Sequence, residues 1–188
     1  MWILILGLVL FFSIHSARMA AGGFREQQMA VSPGRWRAIF ALFSAIGVAL
    51  IIWGWAMYRP DAPELYEPPS WGRHAAMALV WIAFVLVVAA QLPAGRIKAF
   101  LKHPFLAGVI AWAVAHLLAN GDLASVSMFG AFLAYGVVNR VAVIPRGDPA
   151  PVAMQARSDL IALLVGTALY AAFVLWLHGW LFGAPLVG

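Results

Sequence analysis

Five histidines, His15, His74, His103, His116 and His178, carry most of the chemistry this chain could perform. Imidazole both ligates metals and exchanges protons near neutral pH. The chain has no cysteine, which excludes disulfides, thiolate metal sites, iron-sulfur clusters and covalently attached c-type haem. Any redox cofactor must be held by other ligands. There is also no P-loop, no glycine-rich dinucleotide fingerprint, no HExxH and no serine nucleophile elbow. His15 has Phe11 and Phe12 about one turn before it and Arg18 about one turn after it. His116 shares a helical face with Gly108, Trp112 and Asn120, at i−8, i−4 and i+4. A small residue and a flat aromatic beside a histidine could accommodate a planar macrocycle, or the histidine could bond a neighbouring helix. His74 follows Arg73, and His178 lies between Trp176 and Trp180. Both read as residues of a membrane interface.

The elements that must position these residues are apolar. Of 188 residues, 64% are hydrophobic and 10% charged, and the mean hydropathy is +0.91. A soluble domain has about 25% charged residues, so much of this surface must face lipid. Reading between charges gives spans at residues 1–17, 38–58, 74–95, 103–121, 123–139 and 160–182. Each reaches the roughly 17 to 20 residues needed to cross the hydrocarbon. The expected fold is all-α and integral to the membrane, a single domain over residues 1–188 with six transmembrane helices in one bundle. The first run precedes the small residues Ser16, Ala17, Ala20 and Ala21 but has no basic residue before it. It is therefore expected to remain as the first helix rather than act as a cleaved signal.

Charge sets the direction. Ten of the twelve basic residues follow the first, third and fifth runs: Arg18, Arg25, Arg35, Arg37, Arg96, Lys98, Lys102, Arg140, Arg146 and Arg157. By the positive-inside rule these connections are cytoplasmic and both termini face the outer, periplasmic side. The net charge of +5 thus marks a membrane face, and no nucleic-acid partner is implied. The outer connection 59–73 mixes Asp61, Glu64 and Glu67 with Pro60, Pro63, Pro68 and Pro69, which predicts extended backbone. Small residues at four-residue spacing, Ala41, Ala45 and Ala49, then Ala107, Ala111 and Ala115, are expected to line helix contacts. Neither an inverted repeat nor a channel filter is visible.

The most distinctive stretch is Lys102-His103-Pro104, then Gly108, then Ala115-His116-Leu117-Leu118-Ala119-Asn120-Gly121-Asp122. Pro104 suits a first helical turn. Asn120-Gly121-Asp122 reads as a turn whose aspartate caps the next helix.

At these residues, together with Phe12-Ser13-Ile14-His15-Ser16 and Phe129-Gly130, the sequence resembles the NnrU family of bacterial inner-membrane proteins. The resemblance runs over nearly the whole chain. It implies a multi-pass protein of the bacterial cell inner membrane associated with denitrification, in particular nitrite and nitric oxide reduction. The family also includes 15-cis-zeta-carotene isomerase, a membrane enzyme that uses haem b with histidine ligands. The resemblance therefore implies haem b held by His15 and His116, with His103 as the alternative ligand and Arg18 as a propionate partner. Continuation of the first helix past Arg18 to Gly22, with the arginine snorkelling, would bring His15 toward mid-membrane. Otherwise His15 and His103 are better matched in depth. His103 and His116 are about 140° apart around one helix and are poorly placed to share an iron.

Three functional readings follow. The first is a haem-dependent redox or isomerase-like protein, and the second a non-catalytic accessory or assembly partner of nitric oxide or nitrite reductase components. The third is a membrane methyltransferase, because His103-Pro104 with Gly108, and Arg140 with Ile144-Pro145-Arg146, resemble the isoprenylcysteine methyltransferase type.

Overall fold

In lipid each backbone N–H and C=O must find its partner within the chain, and a helix satisfies nearly all of them locally. The computed structural model, which describes residues 1–143, 147, 149–153, 155–183 and 186, is accordingly helical. Its helices are α1 (Trp2–His15), α2 (Ala17–Ala20), α3 (Gly22–Val31), α4 (Pro33–Tyr58), α5 (Gly72–Gln91), α6 (Arg96–Leu101), α7 (Pro104–Ala119), α8 (Leu123–Val143), α9 (Ala156–Ala172) and α10 (His178–Phe182). A 3-10 turn, Arg59–Asp61, follows α4, and a π-helical segment, Phe173–Leu177, joins α9 to α10.

Four helical stretches are long and apolar enough to cross a membrane: Pro33–Asp61, Gly72–Gln91, Leu123–Val143 and Ala156–Phe182. The other two apolar helices are shorter, 14 residues in α1 and 16 in α7. At ~1.5 Å per residue they reach about 21 and 24 Å, against a hydrocarbon core of about 30 Å. The fifth run, marginal by its uncharged length, instead continues through Arg140 to form a 21-residue helix. α1 has an effective extension. Ser16 keeps helical dihedrals, and its carbonyl accepts the amides of Met19 and Ala20, so the chain stays helical through Arg18 to Ala20.

The chain divides into two compact units, residues 1–67 with 120–142, and residues 68–119 with 143–188. In the first, α1 and α4 run antiparallel along a glycine-lined seam. A Cβ on Gly54 would overlap the backbone of Leu4, one on Gly7 would come within 2.6 Å of the Ile51 amide nitrogen, and one on Gly47 within 2.9 Å of Phe11 Cβ. Leu4 and Ile51 are buried along this seam. The predicted alanine stripe on α4 does not form it: Ala41, Ala45 and Ala49 are exposed. Ala45 and Ala49 are each two residues from Gly47, about 200° around the helix, and glycine permits a closer backbone approach.

In the second unit α5 is central. It packs on α7 at Gly108, whose added Cβ would meet Ala83 O at 3.2 Å, and on α9 at Gly166, where the Val85 backbone lies within 2.7 Å. Val85, Ala89 and Ala162 form the buried core there. Ala115 of the predicted α7 stripe is fully buried, whereas Ala107 and Ala111 are partly so.

Overpacking these contacts should be costly. Gly54→Ala is expected to destabilise the protein by about 1–3 kcal/mol, measured by thermal unfolding in detergent. Gly34→Ala, with nothing within 4 Å of the new Cβ, should leave the melting temperature nearly unchanged.

Candidate functional site

The α1–α4 seam ends at His15. Its ring stacks on Phe11 at 3.9 Å and 24°, tilts against Phe40 at 4.8 Å, and meets the edge of Tyr135 at 6.3 Å. Phe12 stacks on Tyr135 in turn, and the Tyr135 hydroxyl donates to the His15 carbonyl at 3.2 Å. Asn139 donates to that hydroxyl at 3.0 Å. His15 Nδ1 lies 2.8 Å from the Phe11 carbonyl. A carbonyl oxygen can only accept, so Nδ1 carries the hydrogen and the neutral ring keeps its lone pair on Nε2. Arg18 is on α2 with its side chain exposed, as a snorkelling or anion-binding arginine requires.

His116, in the second unit, repeats the arrangement. Its Nδ1 is 2.8 Å from the Trp112 carbonyl, and the Trp112 ring lies 4.9 Å away at 51°. Both motif histidines are thus fixed in one tautomer by the carbonyl one turn earlier, the anchoring that metal-bound histidines use. Each Nε2 is thus a donor of the type that could hold a haem iron. The notch at Gly108 does not accommodate a macrocycle, because Ala83, Leu86 and Val87 of α5 fill it.

His103 occupies the N-cap position of α7, where its carbonyl accepts the Ala107 amide at 3.2 Å. Lys102 before it has a φ of 60°, and Pro104 is buried in the first turn. His74 is exposed on α5. His178 is half-buried, opens α10 after the π-helical segment, and lies 6.0 Å from the Phe173 ring and 5.2 Å from Phe182. A π-bulge has no simple sequence signature, although such bulges often accompany functional sites. No group of three metal-ligating residues occurs among the described residues. Ile144, Pro145 and Arg146 lie outside the described residues.

The block ending in Asn120-Gly121-Asp122 has structural work in the first unit. Asp122 Oδ1 accepts the Ser125 amide at 2.8 Å, capping α8, while Oδ2 pairs with Arg59 at 3.5 Å. Arg59 also donates to Asn120 Oδ1 at 3.2 Å and sits 4.9 Å above the Trp55 ring. Trp55 donates to Ser125 Oγ at 3.1 Å. The outer connection then pairs with the turn. The Leu65 amide donates to Gly121 O and the Leu123 amide to Pro63 O, both at 2.9 Å, and the Tyr66 hydroxyl donates to Asn120 O at 2.8 Å. Glu64 and Asp122 form an isolated antiparallel bridge. A Cβ at Gly121 would collide with the Tyr66 carbonyl, so glycine is required there.

Asp122→Ala should lose about 1–2 kcal/mol through the cap alone, and Asp122→Asn should lose less, because an amide oxygen still caps. A double-mutant cycle with Arg59→Gln should give a nonzero coupling for the ion pair. Burial, and then the Asp122 carboxylate, push the Tyr66 phenol above its ordinary value. With the folded pKa above the unfolded value of about 10, stability is complete below that pH and falls as pH rises through the folded value. Melting curves of Tyr66→Phe should therefore decline less steeply than wild type above about pH 10.

No curated protein and no solved structure matches the chain. A family model described as NnrU protein matches residues 3–186. With nearly the whole sequence matched, and with His15, His103, His116 and the Asn120-Gly121-Asp122 turn all inside the matched region, the chain belongs to the NnrU family.

Proposed function

We propose that the protein is a bacterial inner-membrane protein of denitrification, acting in nitrite or nitric oxide reduction, with haem b bound noncovalently by His15 and His116. The observation that supports this reading is the shared anchoring of the two histidines: each Nδ1–H is held at 2.8 Å by the carbonyl of residue i−4, which leaves on Nε2 the lone pair that a ligand would need. When bound, the haem would supply a one-electron redox centre for electron transfer or an isomerase-like reaction, and a diatomic gas would bind only if one of the two histidines left the iron. The chain's own residues orient and insulate that centre. Phe11, Phe40 and Tyr135 hold the His15 ring, Trp112 flanks His116, and Arg18 offers a charge to a propionate. His103 is the alternative ligand. In this reading all six apolar helices cross the membrane, with both termini periplasmic. Helical backbone through Ala20 supports the first crossing.

A second reading is favoured by the uses already found for the family's polar block. Asn120 and Asp122 are engaged by Arg59, Tyr66 and Ser125, as expected of a structural accessory or assembly partner of nitric oxide or nitrite reductase.

Absorbance spectroscopy separates the two. Protein purified in detergent from haem-replete cells should show a Soret band that is lost in His15→Ala and His116→Ala and kept in His74→Ala. A colourless wild-type protein would overturn the haem reading. Reductase activity that falls on deletion yet tolerates each histidine replacement would establish the accessory role.

A further inference from the structure

The first unit contains a cleft that neither motif histidine lines. Its volume is about 590 Å³, and its walls include Ile14 of α1, Phe24 and Gln28 of α3, and Arg35, Ile39 and Phe43 of α4. That volume lies within the range of small-ligand sites, roughly 300–1,000 Å³. The chemistry of the lining is graded. Arg35, Ile39 and Phe43 recur every fourth residue, so they share one face of α4 and extend over about 12 Å. The charged end is the first turn of α4, where Trp36 meets Phe24 of α3 edge to face at 6.1 Å. The apolar end lies further along α4. There the antiparallel register that sets Phe11 against Gly47 also carries Ile14.

Two further features bear on the occupant. Residues 16–37, the connection from α1 and the first turns of α4, hold Arg18, Arg25, Arg35 and Arg37 against the single acid Glu26, a local charge of +3. Among the described residues Arg35 has no carboxylate partner. Within this connection α3 presents Phe24 and Val31 to the surroundings, 56% and 84% exposed, beside Arg25, Glu26, Gln27 and Gln28. A short helix with exposed apolar residues and a polar face settles in the plane of the membrane interface, and basic residues placed there attract anionic lipid headgroups.

We propose that this cleft is a binding site for one anionic phospholipid of the bilayer, with its phosphate at Arg35 and Gln28 and the upper part of an acyl chain along Ile39 and Phe43. A headgroup supplies the negative charge, a chain fills the apolar end, and the α3 interface helix closes over the pair.

The full-length protein, delipidated in mild detergent and given back phosphatidylglycerol, should retain about one phosphatidylglycerol per chain by native mass spectrometry. Phosphatidylcholine, added in the same way, should not be retained. Arg35→Gln should weaken retention about fivefold, the worth of one basic residue at an anionic surface. Arg37→Gln removes the same charge from the same turn without lining the cleft and should be nearly neutral. Ile39→Trp, which keeps the charge but fills the apolar end, should also lose the lipid. Circular dichroism and melting curves verify that each variant is folded. Equal losses in Arg35→Gln and Arg37→Gln would reduce the effect to general electrostatics and overturn the site. Undiminished retention in Ile39→Trp would overturn the seating of the chain, and competition by inorganic phosphate as effective as by lipid would overturn the phospholipid as occupant.

Discussion

Lipid tails are as apolar as leucine, so helices inside a bilayer gain little from hiding apolar side chains against each other and must instead come close. In this chain closeness is provided by glycine. Gly7, Gly47 and Gly54 let α1 lie directly on α4, and Gly108 and Gly166 let α7 and α9 lie on α5. The first of these contacts determines the site around His15. The register that brings Leu4 to Gly54 and Phe11 to Gly47 delivers His15, one turn further on, to Phe40. A side chain at any seam glycine would push α1 away from α4, and the His15 ring would lose Phe40, one of its three aromatic neighbours.

Polar groups act at the ends of the helices, where backbone donors and acceptors run out of partners. Asp122 caps α8 and pairs with Arg59. In the second unit Asp159 of α9 accepts the amides of Arg96 and Ile97, at 2.8 and 3.1 Å, and so starts α6. Gly95 leaves room for that carboxylate, which a Cβ would strike. Lys98 donates to the carbonyls of Ala90 and Leu92 at the end of α5, both at 2.9 Å. Charged residues of this chain therefore do more than mark a face of the membrane. Several of them close the backbone hydrogen bonding of a helix that packing alone would leave frayed.

The long apolar helices were legible because their signal is local and strong, an uncharged run bounded by arginines, prolines or glycines, whereas the short charged helices α3 and α6 fell in stretches read as connections. The turn at Asn120-Gly121 and the cap at Asp122 were legible for the same reason. The partners of that turn were not. Arg59 and Tyr66 lie more than fifty residues away in sequence, and nothing local to either names the other. The alanine stripe on α4 misled because a four-residue spacing marks a face without saying which face is covered. Glycine spaced at seven, Gly47 and Gly54, was the better sign of close approach. Gly108 misled differently: read as space beside His116, it is space already occupied by α5.

The block from Ala115 to Asp122 spans both compact units in eight residues. The chain leaves the second unit at Ala119 and enters the first at Asn120, so His116 belongs to one compact unit and the Arg59 latch to the other. The hydrogen bonds divide the block at the same place. His116 is anchored within α7, to Trp112 four residues back. The turn that follows is anchored by Arg59, Tyr66 and the first turn of α8 at Ser125.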